Sequence, residues 1–131
     1  MFLQQGLMVI KQKMIYRQDL QQNPDKIYLF GDNEERRGLG GQAIQMRGEP
    51  NAVGVRTKRR PRLKESDFWT DETFDSNCRL IEEDLAPVRQ HLAAGGTVIM
   101  PEDGIGTGLA QLAERAPKTY VYLQEAFASL I

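Results

Sequence analysis

The chain is predicted to fold as one α/β domain, residues 1–131, in three layers around a mixed, largely parallel sheet. Three observations carry this expectation. At 131 residues the chain suits one domain of ordinary size and is too short for two. Short apolar runs alternate with segments of helical spacing, the order that builds layered α/β folds. Twice, at 27–47 and 97–116, an apolar run breaks into a glycine-rich turn and then a helical segment.

The elements are read in order. Met8 to Tyr16 reads as a strand of mixed polarity with Val9 and Ile15. Lys26-Ile27-Tyr28-Leu29-Phe30 is a short apolar run that stops at Gly31, as a buried strand does. After the polar loop Asp32 to Arg37, the stretch Gly40 to Arg47 starts a helix with Ala43, Ile44 and Met46 on its apolar side. Ala52-Val53-Gly54-Val55 gives another short strand. Thr70-Asp71-Glu72 is a helix start, a capping hydroxyl followed by acids in the first turn. Phe74, Cys78, Ile81 and Leu85 then mark one buried helical face, which places Cys78 in the core. Pro87 is expected to kink or end that helix, and Gly95-Gly96 to close the segment. Thr97-Val98-Ile99-Met100 is the clearest core strand. It feeds the loop Pro101 to Gly108, a helix from about Leu109 to Ala116, and a last helix over Thr119–Ile131, with Pro117 suited to a first helical position.

Composition removes several function classes. One cysteine excludes an internal disulfide framework, and with a single histidine there are too few ligands for a zinc site, so no metal and no cofactor is expected. The start, Met1 to Ile10, lacks a basic leader and a cleavage site, and no apolar run approaches membrane-spanning length. The expectation is a soluble cytoplasmic protein without a membrane partner. Net charge is only −1, yet Arg56, Lys58, Arg59, Arg60, Arg62 and Lys64 lie in one nine-residue window free of acids. Such a block on an acidic body reads as an anion site, a nucleic-acid contact or a solvated loop. His91, near a helix end, reads as a partner of that terminus. Phe68 and Trp69 flank the block, placed either to stack on an adenine or to pack on the following helix.

The two glycine loops carry the chemistry. A helix N-terminus presents unpartnered N–H groups and partial positive charge, and glycines let the backbone approach a phosphate closely. In an open α/β sheet such loops emerge at the carboxyl ends of the strands, where ligands bind. Neither loop ends in Gly-Lys-Ser/Thr, which argues against a P-loop NTPase, and neither fits the dinucleotide fingerprint. Two such loops in one small domain, each following an apolar strand, read as a phosphate site, the alternative being glycines that serve only tight turns.

Phe30-Gly31-Asp32-Asn33, Gly40-Gly41-Gln42-Ala43, Pro50-Asn51-Ala52, Thr57-Lys58 and Pro101 to Leu109 together resemble small phage and bacterial proteins. Their order also resembles the macrodomain family, especially the branch of terminal ADP-ribose glycohydrolase and the antitoxins that reverse ADP-ribosylation of DNA. The resemblance spans roughly residues 27–116 and is most specific in Pro-x-x-Gly-Ile-Gly-x-Gly-Leu. It implies a macrodomain-like fold that binds ADP-ribose or a related NAD-derived nucleotide. The stretch Gly38 to Ala43, with Gly40, Gly41 and Gln42, would then be the first ligand loop, near the distal ribose, with Asn33 just before it; Asp32 and Thr57 are further ligand-binding candidates. Gly104, Ile105, Gly106, Thr107 and Gly108 would wrap the diphosphate. Lys58 falls where that branch has a lysine that attacks the anomeric carbon. The aspartate that assists it is replaced here by Ala110, so Asp103 or Asp32 would have to stand in. Asp103 also reads as a turn residue.

Two other classes compete with this ADP-ribosyl-binding or hydrolase reading. One is a nucleic-acid binder using Arg56 to Lys64, a role that also fits DNA or RNA as the carrier of the modified group. The other is a phage-type accessory protein acting on a host protein, its glycine loops serving only as turns.

Overall fold

The computed structural model describes residues 8–131; residues 1–7 of the apolar start lie outside the described residues. Among the described residues four strands form one sheet: β1 (Val9–Gln12), β2 (Ile27–Asn33), β3 (Ala52–Lys58) and β4 (Val98–Pro101), in the order β1-β4-β2-β3. Every pairing in this sheet is parallel. Among the described residues five α-helices accompany the sheet: α1 (Arg17–Gln22), α2 (Ala43–Met46), α3 (Phe74–Ala93), α4 (Leu112–Arg115) and α5 (Pro117–Ala128). The chain is thus a mixed α/β domain, as its alternating pattern predicts.

Side chains on a strand point alternately to opposite faces, and this sorts the core into two halves. Tyr28, Phe30 and Ile99 pack with Ile15, Leu20, Ala43 and Met46 on the side of α1 and α2. Leu29, Val55, Val98 and Met100 join Ile81, Leu85, Val88 and Leu123 on the side of α3 and α5. Two apolar half-cores of one parallel sheet give the three layers.

Strand β3 is a sheet edge, and its outward backbone groups are covered. The Arg56 amide donates to Asp84 Oδ2 at 2.8 Å, and Arg36 Nη1 donates to the Gly54 carbonyl at 2.7 Å. Arg36 and Arg56 both reach the Asp84 carboxylate from either side of the edge. Buried Asp32 takes the guanidinium groups of Arg47 (2.6 Å) and Arg36 (3.1 Å). Gly54 is required here, because a Cβ would stand 2.4 Å from Asp32 Oδ2.

The structure corrects several boundaries. The strand expected over Met8–Tyr16 ends at Gln12, whose side-chain amide donates to the Met14 carbonyl and to Asp19, turning the chain. Helix α1 follows, with Leu20 as its only fully buried residue. One apolar position in six residues offers no helical period, so the pattern passes over it. Strands β2 and β3 run on past Phe30 and Val55 to Asn33 and Lys58. Pro87 neither ends nor replaces a turn of α3, which continues to Ala93. The Pro87 ring is exposed, and the opposite face, with Ile81, Asp84, Leu85 and Val88 buried, holds the helix to the sheet. Cys78, on the same side of the helix as Ile81 and Leu85, is half-buried and not fully in the core. The helix expected from Leu109 begins only at Leu112, since Gln111 takes a left-handed conformation (φ 48°).

Other expectations hold. Thr70 Oγ1 accepts the Glu72 amide, and Pro117 opens α5. The His91 ring lies 3.1 Å from the Thr97 carbonyl beside the helix end. Phe68 and Trp69 are both buried, so they pack and neither offers a face for an adenine. No helix among the described residues is long and apolar enough to cross a membrane.

Candidate functional site

The carboxyl ends of the four strands frame one cleft of about 520 Å3. Both glycine loops border it, the first through Gly38, Gly40, Gly41 and Gln42 and the second through Gly104 to Gly108. The loops meet there because β2 and β4 are neighbours in the sheet, so the chain reversals that follow them leave side by side.

The second loop is a run of free donors. The amides of Ile105, Gly106, Thr107, Gly108, Leu109 and Ala110 make no hydrogen bond among the described residues. Ile105, Gly106 and Ala110 are buried and Thr107 to Leu109 are exposed, and six consecutive amides without an internal acceptor form a donor set open to an anion. The loop itself is held from below. Leu112 N donates to Gly106 O at 2.9 Å, Gln111 N to Gly108 O at 3.1 Å, and Thr107 Oγ1 to Asp103 O at 3.1 Å. Gly106 is buried at φ 88°, a conformation that disfavours a side chain. In the first loop, the amides of Gly38 to Gln42 likewise find no partner among the described residues.

The helices behind the loops, α2 and α4, have four residues each. So short a helix has little dipole, and the expected contribution from helix N-termini falls to the loop amides themselves.

Lys58 stands at the β3 end of the cleft. A β-bulge sets it there: Asp32 pairs with Arg56 but Asn33 pairs with Lys58, leaving Thr57 as the extra residue. Alternation is broken, and Thr57 and Lys58 are both buried. Thr57 Oγ1 donates to the Asp32 carbonyl at 3.3 Å, and Lys58 Nζ to the Arg62 carbonyl at 2.7 Å. Burial pushes the Lys58 amine below the ordinary lysine range; nearby Asp67 opposes the shift and Arg115 adds to it.

The remaining predicted residues divide. Asp103 lines the cleft with an exposed carboxylate that makes no hydrogen bond among the described residues. Ala110 lies in the same wall, buried. Asn33 is spent on its own turn, its amide donating to Arg37 O and its oxygen accepting from Glu35 N. The Asp32 carboxylate is consumed by Arg36, Arg47 and the Asn33 amide, which removes it as a stand-in for the missing aspartate.

The basic block is not one free strip. Arg56 is bound to Asp84 and Glu83, Arg60 to Asp67, and Lys58 is buried. Arg59, Arg62 and Lys64 are exposed, with Arg62 no nearer than 4.0 Å to a carboxylate. Strand continuation and tertiary acids, which the window itself lacks, account for the difference.

Sequence reasoning missed one end of the cleft. Lys13, Met14 and Tyr16 follow β1 and line it together with Ile44. Met14 and Tyr16 are 60% and 49% exposed, an apolar surface at the edge opposite Lys58. No motif marks these residues; the pairing of β1 with β4 brings them in.

The fold and the cleft define an α/β protein with a ligand-sized site at the strand ends, lined by two backbone-donor loops. Residues 10–126 match the family model DUF7831, a family of unknown function, and the chain belongs to that family. No curated protein and no solved structure matches the chain.

Proposed function

We propose that the cleft is a macrodomain-like site binding ADP-ribose or a closely related NAD-derived nucleotide. The convergence of the two glycine loops, with the unpaired amides of residues 105–110, carries this reading. Phosphate oxygens suit such a donor set, and a diphosphate spans more of it than a single phosphate. The strand order adds support. Between the first and last of four strands lies about 14 Å, three inter-strand spacings, which matches an extended nucleotide. At the β1 end, Met14, Tyr16 and Ile44 offer apolar surface for a base; the loops of β4 and β2 follow; Lys58 stands at the β3 end.

Turnover is the second part of the proposal. A buried lysine with a depressed pKa has the chemistry of an amine nucleophile: Lys58 attacks the anomeric carbon as its bond to the macromolecule breaks, and water then hydrolyses the lysine adduct, freeing ADP-ribose and the amine. Asp103, on the same cleft, is the carboxylate available for proton transfer. The group removed would be ADP-ribose attached to a macromolecule in the cytoplasm, and the exposed Arg59, Arg62 and Lys64 suit a nucleic-acid carrier.

Titration calorimetry with ADP-ribose tests the binding. Saturable heat is expected, and none at millimolar ligand ends the reading. Lys58→Ala separates a reader from a hydrolase: binding persists in both, while release of ADP-ribose from a modified oligonucleotide stops only if Lys58 reacts.

A further inference from the structure

The buried Phe68 ring is shared by two cations. Lys58 Nζ lies 4.5 Å from its centroid, and Arg115 Cζ lies 3.8 Å from it. The ring is fixed, since Phe68 forms an antiparallel bridge with Lys58 itself. Arg115 comes from α4, after the second glycine loop, and its guanidinium is held in place. Nη1 donates to both oxygens of Glu65 (2.8 and 3.0 Å), and Nε donates to Gln111 Oε1 at 2.8 Å. Gln111 in turn closes the second glycine loop through its amide on Gly108 O.

We infer that Arg115 is a positioning residue for Lys58, acting through the ring they share. The inference rests on Lys58 being the reactive amine of the proposed site. A guanidinium stacked on an aromatic face is a planar, permanently charged neighbour, and it limits where the lysine can lie on the same ring. Like charge also disfavours the ammonium form and so keeps more of the amine neutral. The other charged groups around Lys58 are accounted for. Asp67, the nearby acid, is already engaged by Arg60 and by the Lys64 amide; Glu65 is engaged by Arg115; Asp103 lines the same cleft. Through Gln111 and Gly108, the residue that sets the lysine is the one that braces the phosphate loop.

Competitive acetylation across a pH series, read by mass spectrometry on the intact protein, gives the titration of each lysine. In the wild type Lys58 should titrate below the exposed Lys11, Lys13 and Lys64. In Arg115→Gln its neutral fraction at a fixed mildly alkaline pH should fall about threefold or more, on a scale where one pH unit is tenfold. Arg115→Lys should restore most of the shift, and the other lysines should not move. Glu65→Ala removes an exposed acid that partly neutralises the guanidinium, which Gln111 still holds, and should move Lys58 the opposite way by less, raising its neutral fraction. An unchanged Lys58 titration in both Arg115→Gln and Glu65→Ala overturns the inference, even if ADP-ribose binds. A shifted Lys58 with no nucleotide binding instead sinks the proposed function and leaves the positioning intact.

Discussion

Gly40 and Leu109 face each other where the two loops meet: a Cβ on Gly40 would lie 2.7 Å from Leu109 Cδ1. The absence of a side chain at position 40 is therefore what lets the second loop lean over the first. Leu109 is half exposed at its far end and can swing away. Gly40→Ala should accordingly leave stability within about 0.5 kcal/mol of the wild type. It should weaken ADP-ribose binding about tenfold by displacing Leu109. Adding Leu109→Ala should recover most of that loss, a coupling read by calorimetry on the four proteins of the cycle. Independent effects of the two substitutions would show that the loops do not act together.

Gly106 presents the opposite case. Its φ of 88° and the Leu112 and Leu123 methyl groups at 3.1 and 3.3 Å leave no room that can give cheaply. Gly106→Ala should lose about 1–3 kcal/mol by chemical denaturation, from backbone strain and crowding together. A variant as stable as the wild type that still binds ligand would show that the loop geometry is not what the cleft depends on.

Asp84 holds the edge of the sheet. Two arginines and a strand amide converge on it, and its side chain is nearly inaccessible. Asp84→Ala should cost about 3–5 kcal/mol, because the edge N–H of Arg56 is left unpaired and two guanidinium groups lose the buried carboxylate they share. Glu83→Gln removes only an exposed partner of Arg56 and should change stability by less than about 1 kcal/mol. Equal effects of the two substitutions would contradict this assignment.

Tyr122 hydrogen-bonds Glu82, and that bond, with burial second, pushes its phenol up to about 12. The folded state thus holds the proton more tightly than the unfolded chain, whose tyrosine titrates near 10. The stabilisation is complete below pH 10 and is lost as pH rises towards 12. Absorbance of the phenolate should lose its component near pH 12 in Tyr122→Phe, while Tyr28, whose phenol burial also raises, stays in place. The same variant should lose stability less steeply over that alkaline window; an unchanged slope would refute the linkage.

Oligonucleotide binding, if present, should reflect the cations the fold leaves free. Arg56, Lys58 and Arg60 are committed inside the protein, leaving Arg59, Arg62 and Lys64. The logarithm of affinity should fall against the logarithm of salt with a slope of about 2–3, not the value of roughly 5 expected from six phosphate contacts. Fluorescence anisotropy over a salt series reads this directly, and no binding at low salt removes the nucleic-acid role.

Much of the fold was legible because it is written in local periods. The runs around Leu29 and Ile99 and the spacing of Ile81 and Leu85 bury the faces they imply. Helix α1 was not legible, since Asp19 and Leu20 hold it through one cap and one buried side chain instead of a repeating stripe. Pro87 misled for a related reason: its rule is local, while the burial that keeps α3 continuous is not.

Glycines placed after apolar strands determined by themselves that two flexible reversals would exist, because backbone freedom is a property of the residue. Which reversals meet, and what faces them, was decided by strand order. Setting β4 between β1 and β2 joined the loops and brought in Met14 and Tyr16, residues distant in sequence from both. The same holds for charge. Six cations in one nine-residue window are a fact of the chain, but the acids that claim Arg56 and Arg60 come from α3 and from the turn at Asp67, and Lys58 turns in to the Arg62 carbonyl. Electrostatic partners are chosen by distance in space, and that distance exists only once the chain has folded.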